Sequence, residues 1–436
     1  GVDITLSATN LDGFASINGV NGGADETIAI SGAFATLNLV GNNLTDIALL
    51  AMTAGNDSLT VTADTLGATG VATINGGNGV DTLVFAADVA GITAVDFSVG
   101  AGSQQLTGST ADVRNFENLD SSLYATSMTV TAGGATTSII TGAGDDTINA
   151  SAAGGAVTIS GGNGNNDITG SAQGDMITIG SGNDVVHAGD GSDVVLGLSS
   201  GGNDTIWLEA GNDSFTFGST NLTEADSIDG GSGVDTLIFT GSVAGTGQIN
   251  VTFNAATNAD QLSGLGKFSN FENLDASGVT NNRSFSVIAT ADTSVIKTAG
   301  GIDLIDATDA SQSVLINSGA GGDQITGSAY NDTINAGTGD DVITAGAGND
   351  EITLGTGSDV VTMASAFGND TVNDFNISVD KIDISSIVGS GTLSDFYSVT
   401  GNAVTIYGDS GHGSTLGTLT LLGVDSSSIN DSLFVA

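Results

Sequence analysis

Ala336-Gly337-Thr338-Gly339-Asp340-Asp341-Val342-Ile343-Thr344 runs without a break into Ala345-Gly346-Ala347-Gly348-Asn349-Asp350-Glu351-Ile352-Thr353. The two blocks share one pattern: glycine second and fourth, aspartate sixth, an aliphatic residue eighth. Outward from them, Asp323, Asp332, Asp341, Asp350 and Asp359 recur every nine residues, and Ile325, Ile334, Ile343, Ile352 and Val361 each follow two residues later. A fixed short period of this kind is the signature of a solenoid. Glycine reaches positive φ without steric penalty, so G-x-G-x-D makes a tight turn whose carbonyls point inward. The x-U-x that follows is a three-residue strand with one inward apolar side chain.

If two nonapeptides make one coil, Asp323, Asp341 and Asp359 stack along one edge and Asp332 and Asp350 along the other. Each edge is then a ladder of oxygens whose like charges repel. Ca2+ is a hard cation that takes about six to eight oxygen ligands from carboxylates and carbonyls, which such a ladder offers between successive coils.

Read as G-G-x-G-x-D-x-U-x, the array resembles the calcium-binding β-roll repeat of the RTX family of secreted bacterial proteins. The resemblance implies an all-β parallel β-roll, or β-solenoid, with calcium-binding turns and multiple Ca2+ ions. Two further full copies stand at Gly76-Gly77-Asn78-Gly79-Val80-Asp81-Thr82-Leu83-Val84 and Gly230-Gly231-Ser232-Gly233-Val234-Asp235-Thr236-Leu237-Ile238. A less regular array passes through Asp146, Asn166, Asp175, Asp184, Asp193, Asp204 and Asp213. There Asn166 replaces a carboxylate and Leu198-Ser199 lengthens a turn, which puts a cation site at either place in doubt. The candidate metal ligands are Asp81, Asp146, Asp175, Asp184, Asp193, Asp204, Asp213, Asp235, Asp303, Asp323, Asp332, Asp341, Asp350, Asp359 and Asp370.

The nonapeptides sit inside a larger duplication. Asn115-Phe116-Glu117-Asn118-Leu119-Asp120 returns as Asn270-Phe271-Glu272-Asn273-Leu274-Asp275, and Gln105-Leu106-Thr107-Gly108 as Gln261-Leu262-Ser263-Gly264. Asp146 likewise corresponds to Asp303. This divides the chain into a β-rich segment (1–75), two units of spacer plus array (76–229 and 230–373) and a C-terminal cap (374–436). Residues 1–75 read as short strands with degenerate turns at Asn21–Asp25 and Ala54–Asp57, and Thr45–Met52 is the one stretch with helical character. The stretch Phe367–Phe375 with Asp380-Lys381-Ile382-Asp383-Ile384-Ser385 looks like the closing segment of RTX β-rolls, and solenoids need such a cap over the last apolar coil. Leu419–Val424 reads as an apolar strand. Asp431-Ser432-Leu433-Phe434-Val435-Ala436 resembles the uncleaved C-terminal signal of type I secretion.

Composition narrows the function. With 67 Gly, no Pro and 5% aromatic residues among 436, the chain does not suit an ordinary globular core. Its 39% hydrophobic content argues against disorder. The net charge of −44 excludes nucleic acid as a natural partner. Zero Cys rules out disulfides, leaving bound metal as the stabilising cross-link. No run has the length of a transmembrane helix, and the start at Gly1 carries no secretory signal pattern.

A catalytic site is hard to assemble from these residues. Gly197-Leu198-Ser199-Ser200-Gly201 matches G-x-S-x-G, but a nucleophile elbow needs a strand-to-helix turn, and this copy lies inside the array. His187 and His412 are the only histidines, and Gly408-Asp409-Ser410-Gly411-His412 has no accompanying fold. The chain reads as no enzyme. The expectation is a secreted, calcium-folded structural protein at the surface of a Gram-negative bacterium, resembling RTX surface-layer proteins. Its partners would be itself, as homo-oligomer or polymer, and a cell-surface polysaccharide. The alternatives are the RTX portion of a large adhesin, or of a secreted hydrolase whose catalytic domain is missing.

Overall fold

The structure, a computed structural model, describes residues 4–7, 16–18, 27–31, 36–40, 43–45, 47–67, 70–87, 89, 91–197, 201–218, 225–243, 247–253, 260–262, 266–364, 367–388 and 392–435. The turn Asn21–Asp25 and the residues Leu198, Ser199 and Ser200 lie outside them. The chain forms two compact units, residues 1–213 with 225–228, and residues 214–224 with 229–436. Each is a parallel β-solenoid.

In the first unit one sheet runs Ile4–Ser7, Thr27–Ser31, Ile47–Ala51, Val71–Asn75, Asp112–Arg114, every neighbour parallel. A second stacks Thr36–Asn38, Ser58–Val61, Thr82–Phe85, Asn118–Asp120, Ser138–Ile140, Thr158–Ser160, Met176–Ile179 and Val194–Gly197. A third stacks Ala94–Asp96, Thr129–Thr131, Thr147–Asn149, Asp167–Thr169, Val185–His187 and Thr205–Trp207.

The second unit shows the period most clearly. Gln324–Thr326 pairs with Val342–Thr344 and that strand with Val360–Thr362, while Thr333–Asn335 pairs with Glu351–Thr353 on the opposite face. Two nonapeptides therefore make one coil, as the spacing predicts. The centre of each three-residue strand is its only buried side chain: Ile325, Ile334, Ile343, Ile352 and Val361 are at most 1% exposed. Burying each such side chain contributes about 1.5–3 kcal/mol, so a narrow column of Ile and Val holds the two faces together.

Two expectations need correction. Thr45–Met52 is not helical. Asn43–Thr45 and Ile47–Ala51 are strands, the latter bonded on both sides, because tertiary pairing overrides a weak helical preference. Among the described residues of this segment the one helical turn is Ala63–Leu66, started by Thr62, whose side-chain oxygen accepts the Thr65 N–H at 3.4 Å. At the other end, Asp380–Ser385 is itself a further coil, since Lys381–Asp383 pairs with Val360–Thr362. What covers it is the antiparallel set Tyr397–Thr400, Ala403–Tyr407 and Thr415–Leu421, the last joined to Gly368–Val372, together with Phe434–Val435 paired to Lys381–Asp383. The apolar strand thus starts before Leu419 and ends at Leu421.

Candidate metal centre: two ladders of half-satisfied carboxylates

Each nonapeptide turn ends on its aspartate, and the glycines before it set the backbone. Gly337 and Gly339 have φ of +98° and +132°. A Cβ on either would strike a carbonyl of the preceding coil, that of Gly319 or Gly321. The turns of neighbouring coils are therefore packed carbonyl against Cα, an approach only glycine permits.

This stacking brings the predicted aspartates into columns. In the second unit the backbone N–H of Asp303 donates to Asp323 Oδ1 at 2.8 Å, that of Asp323 to Asp341 at 2.7 Å, that of Asp341 to Asp359 at 2.9 Å and that of Asp359 to Asp380 at 3.1 Å. On the opposite edge Val314, Asp332 and Asp350 donate to Asp332, Asp350 and Asp370 in the same way. In the first unit one column runs from Met128 through Asp146, Asn166, Asp184 and Asp204 to Asp226, and the other from Val157 through Asp175 and Asp193 to Asp213. Asn166 keeps the ladder continuous without supplying a charge. Asp81 receives the N–H of Asp57 at 2.8 Å.

One oxygen of each carboxylate is thus engaged, and the second is the informative one. Oδ2 of Asp81, Asp193, Asp341, Asp350, Asp359 and Asp370 is buried and meets no hydrogen-bond donor, and at Asp146, Asp184, Asp303 and Asp323 the nearby side chains of Thr141, Asn166, Thr298 and Ser318 offset burial only in part. A buried anionic oxygen with no partner is costly unless a cation completes it. Burial, followed by the charges of neighbouring aspartates, pushes Asp350 up to about 8, and burial raises Asp370 to about 7. Asp81, Asp193 and Asp303 rise to about 7, and Asp204, Asp213, Asp341 and Asp359 to about 6, with burial the main cause throughout. The orphaned oxygens fit a hard divalent cation. Among the described residues no point gathers three acidic or imidazole side chains, so backbone carbonyls of the turns must supply the other ligands. That is a donor set Ca2+ accepts and softer metals do not favour.

Asp175 and Asp332, both counted among the candidate ligands, differ from the rest. Their Oδ2 accepts the backbone N–H of Ser171 and Ser328, and the two serine hydroxyls donate to Oδ1. Asp57 is held in the same manner by Thr53. The signal was in the sequence: a hydroxyl residue stands at the second repeat position in place of glycine. Three further aspartates belong to the columns although their turns lack the full pattern: Asp57, at the end of a turn read as degenerate, Asp380, read as part of the closing segment, and Asp226, which the sequence did not single out.

The family model of the RTX calcium-binding nonapeptide repeat matches residues 131–153, 140–177, 180–200, 198–221, 223–240, 317–352 and 326–361. This chain carries the calcium-binding repeats of the RTX family. RTX nonapeptides bind calcium, so the chain binds several Ca2+ ions, and proteins with RTX repeats are typically extracellular. Among solved structures, the crystal structure of extracellular lipase LipA from Serratia marcescens is similar over 62% of this chain and 40% of its own, at 17% identity and a TM-score of 0.20. The chain thus spans less than half of that lipase's length. No curated protein matches it. No helix among the described residues is long and apolar enough to cross a membrane.

Proposed function

We propose that this RTX chain is a secreted structural protein of a Gram-negative bacterium that folds on calcium after type I export and then assembles with itself into a surface layer or fibre. The observation that carries the reading is the run of buried carboxylates with one oxygen bonded to the next coil and the other unpartnered. Such side chains act as cation-dependent stiffening along a solenoid. The ligands are the aspartates with an orphaned Oδ2, whereas Asp175 and Asp332 keep their coils closed through serine. No catalytic role is assigned to any residue: the ladder carboxylates bind backbone, and Gly408–His412 is a turn organised by Asp409, with His412 stacked on Tyr407 at 4.0 Å.

Two features support self-assembly. Among the described residues Ile4–Ser7 pairs on one side only, with Thr27–Ser31, and the sequence has no proline with which to block an edge. The net charge of −44 keeps copies apart until divalent ions screen or bridge them. Light scattering and electron microscopy in millimolar calcium and in chelator test this. Calcium-dependent assemblies that weaken on removal of residues 1–75 are expected. A stable monomer at high concentration, indifferent to that truncation, refutes the reading and favours the RTX part of a larger adhesin or hydrolase.

A further inference from the structure

The nonapeptides Gly76–Val84 and Gly230–Ile238 are each followed by a long spacer instead of another repeat. Their aspartates nevertheless find the partner that an array would supply. The Asp81 N–H donates to Glu117 Oε2 at 2.7 Å, and the Asp235 N–H to Glu272 Oε2 at 2.7 Å. These distances fall in the range of the Asp-to-Asp rungs of the arrays.

The surrounding backbone follows the array as well. Within an array the carbonyl of each aspartate accepts the N–H of the residue after the next coil's aspartate, as Asp323 does from Val342. Asp81 accepts from Asn118 and Asp235 from Asn273, each the residue after the glutamate. Leu83 then pairs with Leu119, and Leu237 with Leu274, in the inward column. Asn-Phe-Glu-Asn-Leu-Asp is therefore a disguised repeat. Its turn is cut short and reversed by Asn115 or Asn270, with φ of +58° and +57°, a left-handed conformation that asparagine tolerates better than most residues. Glutamate, one methylene longer than aspartate, reaches the same N–H from this shortened turn.

An acidic pair alone would not make a site. Here Asp81 is fully buried, and its Oδ2 has no donor. That oxygen lies 2.9 Å from where a Cβ on Gly76 would stand, and the Asn115 carbonyl closes on the same point. In the second copy Gly230 is faced by the Asn270 carbonyl and, at 3.0 Å, by Asp235 Oδ2. A carboxylate offers about four lone-pair sites, and one rung uses a single site on each glutamate.

We propose that Glu117 and Glu272 are calcium-site residues, each completing with Asp81 or Asp235 and the neighbouring Asn115 or Asn270 carbonyl a cation site at the junction of spacer and array. Both glutamates lie outside the stretches matched by the repeat model. The inference rests on the calcium reading of the arrays and adds a site type to it.

The test is the full-chain variant Glu117→Gln/Glu272→Gln. Glutamine still accepts the N–H but contributes no charge, so a purely structural role survives the change and ligation does not. Equilibrium dialysis should show the variant binding two fewer Ca2+ ions per chain, with the β-type circular dichroism spectrum retained in millimolar calcium. Unchanged stoichiometry overturns the proposal and leaves the glutamates as N–H acceptors only. A crystal of the unaltered chain grown with terbium decides the matter if the variant does not fold. Anomalous peaks in the arrays and beside Glu117 and Glu272 support the proposal. Peaks in the arrays alone overturn it, whereas no peaks anywhere would overturn the calcium reading itself.

Discussion

Removing calcium at neutral pH should unfold the arrays, and acidification should partly reverse the effect. In the second unit Asp303, Asp341, Asp350, Asp359 and Asp370 are at most 2% exposed, and burial pushes them from 3.8 to between about 6 and about 8. The fold therefore favours their protonated form. Their contribution is fully present below the unfolded value of 3.8 and is lost as the pH rises through about 6 to 8. At about 1.4 kcal/mol per pH unit, keeping these five carboxyls buried without a cation at pH 7.5 costs on the order of 20 kcal/mol. A whole domain is stable by only about 5–15 kcal/mol. At pH 5 the same groups are largely neutral in the fold, and the cost falls to about 8 kcal/mol. The assay is far-UV circular dichroism with urea titration on protein stripped of calcium over a chelating resin, at pH 7.5 and at pH 5.0, which lies above the pI of about 4.1. We expect a largely unordered spectrum at pH 7.5, a β spectrum on adding millimolar calcium, and a partial return of β structure in calcium-free protein at pH 5.0. Calcium-free protein with an unchanged β spectrum at pH 7.5, or with less β structure at pH 5.0 than at pH 7.5, would refute the reasoning.

Asp341→Ala, in the middle of an uninterrupted column, should lower calcium affinity and folding cooperativity more than Asp204→Ala; equal effects in titration calorimetry would contradict this order. Asp332→Asn should leave calcium stoichiometry unchanged, because serine already satisfies its second oxygen, whereas Asp350→Asn should lower it. Gly339→Ala places a Cβ against the Gly321 carbonyl at a φ of +132° and should cost about 2–4 kcal/mol in denaturant unfolding. Gly134→Ala, with open space around it, should change stability by less than about 0.5 kcal/mol. Deleting residues 431–436 removes the buried Leu433 and Phe434 and the strand beside Ile382, a loss of about 3–6 kcal/mol visible as a lower melting temperature in calcium.

The period, the handing of Ile343 and Ile352 to opposite faces of one coil, and the stacking of Asp323, Asp341 and Asp359 were legible in the sequence, because a strict nine-residue spacing leaves little freedom once glycine fixes the turns. The tandem copy was legible too, but not what its Asn-Phe-Glu-Asn-Leu-Asp block does: Glu117 reaches an amide thirty-six positions away, across a spacer with no repeat to count by. The strand at Ile47–Ala51 and the covering of the last coil by Thr415–Leu421 and Phe434–Val435 were likewise decided by partners distant in the chain. The division among the aspartates, by contrast, is local and is written in the repeat itself. Asp332 and Asp341 occupy the same repeat position, yet one carboxylate is closed by a serine four residues before it and the other is left with a bare oxygen. Which carboxylate its own turn closes is local; that the remaining oxygen of the others is buried, with its partner oxygen bonded eighteen residues away, is decided only by the stacking of coil on coil.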